Sequence, residues 1–141
     1  MADWIKLYFA VDRNAEFRAF EEAMREGKRG RRARRTAEDV AFAQVVRLYV
    51  MLGQTKGGRI DMRSTGDRLL AEDCMREEGD ELLAVFDRMA DNGVINRELW
   101  ASLNVVTTSN AVAQAEARQR SKDKSDKANE AKRRKVAEAA G

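Results

Sequence analysis

Residues 81–114 read ELLAVFDRMADNGVINRELWASLNVVTTSNAVAQ, and their punctuation decides what fold the chain can adopt. Leu82, Val85, Phe86 and Met89 recur at helical spacing and form one apolar stripe. Asn92-Gly93 supplies the stop. Upstream, Ser64 or Thr65 can cap a short helix through Leu69, Leu70 and Cys74, with a break at "REEG" before the stripe begins. Downstream, Val94 and Ile95 make a buried turn of chain, and Leu99 and Trp100 sit on a further helical turn. "NVVTT" at 104–108 then favours extended backbone, and Ser109 can start another helix. Two helices joined by a tight turn and followed by an extended segment form the core of a winged-helix domain, a variant of the helix-turn-helix.

The rest of the chain is consistent with that centre. "KGGRIDM" holds a Gly-Gly turn signal and then Ile60 and Met62 alternating with polar residues, which suits a short strand or one arm of a hairpin. Before it, "VAFAQVVRLYVML" is apolar on nearly every side and reads as the central buried helix, with Thr36 as N-cap, Glu38 and Asp39 in the first turn, and Gly53 closing it. Phe17, Phe20, Ala23 and Met24 mark an amphipathic helix over 14–26, stopped by Gly27. "WIKLYF" at 4–9 reads as a strand. The expected fold is mainly α with a small β-sheet, a winged-helix-like domain over residues 1–117. Apolar residues almost vanish after Ala117, so 118–141 reads as a basic tail, helical or disordered.

The order of these features resembles the N-terminal domain of phage replisome organisers, the DnaD-like initiation proteins of phages of Gram-positive hosts. The opening is "WIKLYF", the buried helix "VAFAQVVRLYVML", the turn "KGGRIDM", the phrase "NGVINRELW" and the strand-to-helix junction "VVTTSNAVAQ". The resemblance covers residues 4 to about 120. It implies a winged-helix DNA-binding domain acting in replication initiation and recruiting other replisome parts, the replicative helicase among them. The chain departs from the pattern by placing a basic stretch at 28–35 between the first two helices. It also lacks the separate C-terminal domain through which such organisers engage helicase or single-stranded DNA.

Charge is segregated. Lys28, Arg29, Arg31, Arg32, Arg34 and Arg35 are packed with no acid into residues 27–35, expected to be a loop, and 116–141 holds nine basic and five acidic residues. The remainder is net acidic, so the net charge of +3 conceals two basic segments on an acidic body. Clustered cations repel one another unless a polyanion or an acidic partner relieves them. Five of the first six are Arg, whose fork grips phosphate oxygens in pairs. In the tail, "KRRK" (Lys132, Arg133, Arg134 and Lys135) is the densest piece, although i,i+4 pairing could equally make the tail a plain polar helix. No aromatic interleaves with the Arg run, so base stacking is not indicated. The helix over 80–91 is a poor recognition helix, because Asp80, Glu81, Asp87 and Asp91 outweigh Arg88 on its polar face.

Several classes are disfavoured. With no histidine, one cysteine and no Gly-rich phosphate loop or nucleophile elbow, no enzyme, cofactor or metal is expected. The acids Asp61, Asp67, Glu72 and Asp73 match no calcium loop. Asp3 stands where a secretory signal would be cationic, and no apolar run approaches the roughly 18 residues of a membrane span, so a cytoplasmic protein without membrane contact is expected. The sequence thus points to sequence-independent DNA binding of the replication-initiation type through the Arg-rich loop and basic tail. The alternative is a phage-encoded inhibitor or adaptor, for example anti-defence, that sets the Arg loop against an acidic or nucleic-acid-binding partner surface.

Overall fold

The computed structural model describes residues 14–140; the strand expected at 4–9 lies outside them. Helix α1 (Ala15–Arg25) starts at Asn14, whose side-chain oxygen accepts from the Phe17 amide at 3.0 Å, and buries Phe17 and Phe20. Helix α2 (Arg31–Gln54) is the spine, about 36 Å long at 1.5 Å per residue. Its buried residues are Ala37, Ala41, Gln44, Val45, Leu48, Met51 and Leu52, a single stripe. The helix is therefore central but not enclosed: Val40 and Val50 are 40% and 50% exposed. Phe17 of α1 meets Phe42 of α2 edge-on at 6.2 Å.

Strand β1 (Arg59–Asp61) follows, then α3 (Thr65–Met75), α4 (Gly79–Asp91), α5 (Arg97–Leu103), β2 (Val105–Thr107) and α6 (Ser109–Ala140). The expected apolar stripe of α4 is buried as read, and Phe86 packs edge-on against Trp100 at 5.4 Å. Trp100 also donates its indole N–H to Asp87 at 2.7 Å, which joins α5 to α4. Asn96 caps α5 by accepting from the Leu99 amide, and Asn104 ends it in the left-handed conformation at φ 54°.

The strand at β1 belongs to no local hairpin. It pairs antiparallel with β2, Ile60 opposite Val106, and both of these side chains are fully buried. The sheet of the described residues consists of these two strands, and β2 runs directly into α6 rather than into a third strand. The fold is mainly α with a small antiparallel sheet, as expected, and the described residues form no hairpin wing.

The Thr108 hydroxyl oxygen caps α6 by accepting from the Ala111 amide at 3.0 Å. The helix docks through Ala111, beside Gly58, and through buried Ala115. From Glu116 to Ala140 every residue is exposed. The tail, left open between helix and disorder by its composition, continues α6 without a break. No helix of the described residues is long and apolar enough to cross a membrane.

Candidate nucleic-acid interface

The basic run at 27–35 is not the loop its charge suggests. Only residues 26–30 connect α1 to α2, and Arg31, Arg32, Arg34 and Arg35 lie in the first turns of α2. Thr36, expected as the N-cap, sits inside the helix, where its hydroxyl donates to the Arg32 carbonyl at 3.0 Å. Arg and Ala favour helix, and nothing after Gly30 breaks it, so propensity prevails over repulsion between neighbouring guanidinium groups. The reversal itself needs Gly27 and Gly30, at φ 77° and 87°, because a side chain at either would be held in a strained conformation.

The electrostatics of this helix start are adverse to the free protein. Gly30 offers no side-chain cap, and the first turn of α2 holds no acid. The open amides there carry the positive end of the helix dipole, and each exposed cation placed against it costs about 0.3–1 kcal/mol. All six cations, Lys28 to Arg35, are exposed. None of the six makes an ion pair among the described residues, whereas Arg25, Arg68 and Arg134 do.

Helix periodicity brings Arg31, Arg34 and Arg35 together around a shallow hollow completed by Gly30, Arg25 and Glu38. Lys28, Arg29 and Arg32 lie outside it. Arg25 is the member that charge counting overlooked. Its guanidinium lies 2.6 Å from Glu21, 3.6 Å from Glu22 and 3.5 Å from Glu38, so it clamps α1 to α2 directly beneath the Arg run. Glu38, read as a first-turn acid, is its partner on α2. The clamp sets the position of the helix start that carries the cations.

The tail cations are placed differently. Thr108, Ser109 and Asn110 share a hollow with Tyr49, and further along α6 the Arg118 guanidinium meets the Gly53 carbonyl at 3.5 Å. The helix therefore leaves the body beside the C-terminal end of α2. Gly53 stands eighteen residues beyond Arg35, about 27 Å along the helix. The two basic segments expected to act together thus occupy opposite ends of α2.

Within α6, Glu116, Asp123 and Glu130 each precede a base by four residues, Arg120, Lys127 and Arg134. This is the favourable orientation for pairing, and Arg134 Nη2 lies 3.1 Å from Glu130 Oε1. At about 100° per residue, all five acids of 116–138 fall on one side, leaving about two-thirds of the circumference free of acid. Arg118, Lys122, Lys124, Lys132, Arg133 and Lys135 lie there. The "KRRK" stretch is consequently split, with Arg134 on the paired side and the other three spread around the helix.

The acidic helix does not resemble a reader of bases. Asp87 is committed to Trp100, and Arg88 Nη1 lies 2.9 Å from the Met24 sulfur of α1. The acids near β1 serve a turn: Asp67 accepts from the Asp61 amide and Asp61 from the Arg63 amide, each at 2.9 Å. Among the described residues no group of three His, Cys, Asp or Glu side chains could hold a metal. A second groove, between α2 and the root of α6, is lined by Tyr49, Val50, Leu52, Gly53, Ala111 and Arg118 among others. Burial holds the Tyr49 phenol above its ordinary pKa, with Glu16 adding to the effect, so no anionic chemistry is favoured there. Burial, with Asp73 beside it, likewise raises the Cys74 thiol and makes it a poor nucleophile.

No protein-family model matches the chain, and no curated protein or solved structure matches it.

Proposed function

We propose that the chain is a DNA-binding protein without enzymatic activity that holds DNA through its phosphates, with the Arg-loaded start of α2 as the principal contact. The observation that carries this reading is the set of six exposed cations, without an ion pair among the described residues, at an uncapped helix start. A phosphate backbone relieves the repulsion among them and the mismatch with the helix dipole together. The Arg25 clamp holds α1 against the start of α2, so the backbone that carries the cations needs no reordering on binding. Binding is independent of sequence, because the acidic face of α4 would meet bases with the wrong charge. The sequence resemblance to the winged-helix domains of phage replisome organisers supports a role in replication initiation, which we read as cytoplasmic. There the chain tethers DNA while helicase or other replisome proteins assemble.

The second reading is an adaptor or inhibitor that seats an acidic protein side chain in the hollow formed by Arg25, Gly30, Arg31, Arg34, Arg35 and Glu38. Titration with short labelled single-stranded and duplex DNA across a salt series separates the two. Contact with about six phosphates gives a log–log salt slope near −5. Changing Arg31, Arg32, Arg34 and Arg35 to Ala is expected to weaken binding at least tenfold at physiological salt. Undetectable DNA binding, or a variant that binds as the wild type does, would overturn this function and favour the adaptor.

A further inference from the structure

Two basic surfaces at opposite ends of one rigid helix raise a question of number that a single phosphate tether does not answer. The start of α2 and the root of α6 are about 27 Å apart, measured from Arg35 to Gly53 along α2. Between them the surface changes sign. Along α2, Glu38 and Asp39 lie just past the Arg run with Arg47 the one base before Gly53, and the body as a whole, residues 36–115, holds thirteen acids against eight bases. A duplex laid from one basic end to the other would therefore be repelled along its path.

The α6 end is equipped as a surface of its own. Its three bases at 120, 127 and 134 each have an acid four residues earlier, while Lys122, Lys124, Lys132, Arg133 and Lys135 lie on the acid-free side. Every residue from Glu116 to Ala140 is exposed, and of the cations on that side Arg118, at the root, is the one whose guanidinium reaches the body among the described residues, at the Gly53 carbonyl. That side offers no apolar stripe to a partner helix, since alanine is nearly its only apolar residue. What it does offer is a run of free cations along a rod projecting from the body, a form suited to a phosphate backbone.

We infer that the chain joins two DNA segments, one at the start of α2 and one along the acid-free side of α6. This rests on the DNA-binding reading above and adds that the two ends act on different segments. The α2 end is the tighter of the two, because its cations sit close together on a fixed surface while those of α6 are strung along the helix.

The test is capture of a free labelled duplex by an immobilised duplex, with single-duplex binding measured in parallel at low salt. The full chain is compared with the four-Arg variant and with a variant carrying Gln at 122, 124, 132, 133 and 135. All substituted side chains are exposed, and circular dichroism checks that the helices persist. The wild type is expected to capture the second duplex. Each variant should lose capture at least tenfold while still binding one duplex through its intact end. Single-duplex binding without capture would overturn the bridge and leave the tether standing. Capture that survives loss of the α6 cations would also overturn it, since copies of the chain would then be pairing. Absence of single-duplex binding by the wild type would remove the tether itself, and the bridge with it.

Discussion

The start of α2 and the outer length of α6 are both helical, both exposed and both rich in cations, yet they are built on opposite terms. At α2 the cations have no acid partners among the described residues, crowd the positive end of a helix dipole and sit beside the Arg25 clamp. Along α6 a third of them are matched with acids at the spacing that stabilises helices, and nothing beneath them is packed. The difference shows that cation density along a sequence says little by itself. What matters is whether the fold supplies the counter-charge. At α2 it does not, and the core must absorb the cost. At α6 the helix supplies part of it itself.

This contrast fails if the two regions share one cooperative unit, and the core offers the strongest test. Phe86 is fully buried against Trp100, and Phe86→Ala should cost about 3–5 kcal/mol of stability through lost burial and the cavity left behind. Amides of α2 should then exchange faster in step with that loss. Those of residues 120–140 should exchange at the same rate as in the wild type, because their protection comes from local helix opening alone. Faster exchange there in the variant would mean that α6 is held by the body along its whole length, contrary to its exposure.

The root of α6 is the place where the two regions meet, and Gly58 controls it. Its φ is +68°, and a Cβ there would stand 2.4 Å from the Ala111 carbonyl oxygen. Gly58→Ala must therefore push α6 away or bend the turn, at a cost of about 2 kcal/mol or somewhat more once the left-handed strain is included. Urea unfolding gives the loss. Weaker protection of the Val112 amide, which donates to the Thr108 carbonyl at 3.1 Å, would locate it. If the cost is negligible, the docking of α6 does not depend on this close approach.

Much of the body was legible from periodicity, and the reasons are specific. Leu82, Val85, Phe86 and Met89 form a stripe that only a helix can bury, and Asn14, Ser109 and the stop at Asn92-Gly93 frame their helices correctly to within a residue. The pairing of Ile60 with Val106 was not legible, since 46 residues separate them and each strand alone is compatible with a local hairpin. The start of α2 was misread because two physical signals conflict there. Repulsion among guanidinium groups argues for a loop, while Thr36, Glu38 and Asp39 imitate a capped first turn. Both are local, and the helix begins earlier because Gly30 is the only real breaker. The six free cations of the candidate site were visible in composition alone. Arg25 was not, because its decisive partner Glu38 lies thirteen residues away across the helix pair.

The smallest expected effect is the most discriminating, because its two readouts have opposite signs. Arg31→Glu places an acid in the first turn of α2, where it complements the dipole and removes one like charge from beside Arg34 and Arg35. The free protein should gain about 0.5–1 kcal/mol, measured by urea unfolding, and the gain should shrink in high salt as the exposed charges are screened. DNA binding should weaken, with a salt slope shallower by about 2, since one phosphate contact is lost and one repulsion is added. A surface kept for solubility would gain stability and lose nothing. A surface whose arginines hold the fold together would lose stability first. Only a site whose adverse charge awaits a polyanion should become more stable and less able to bind through the same substitution.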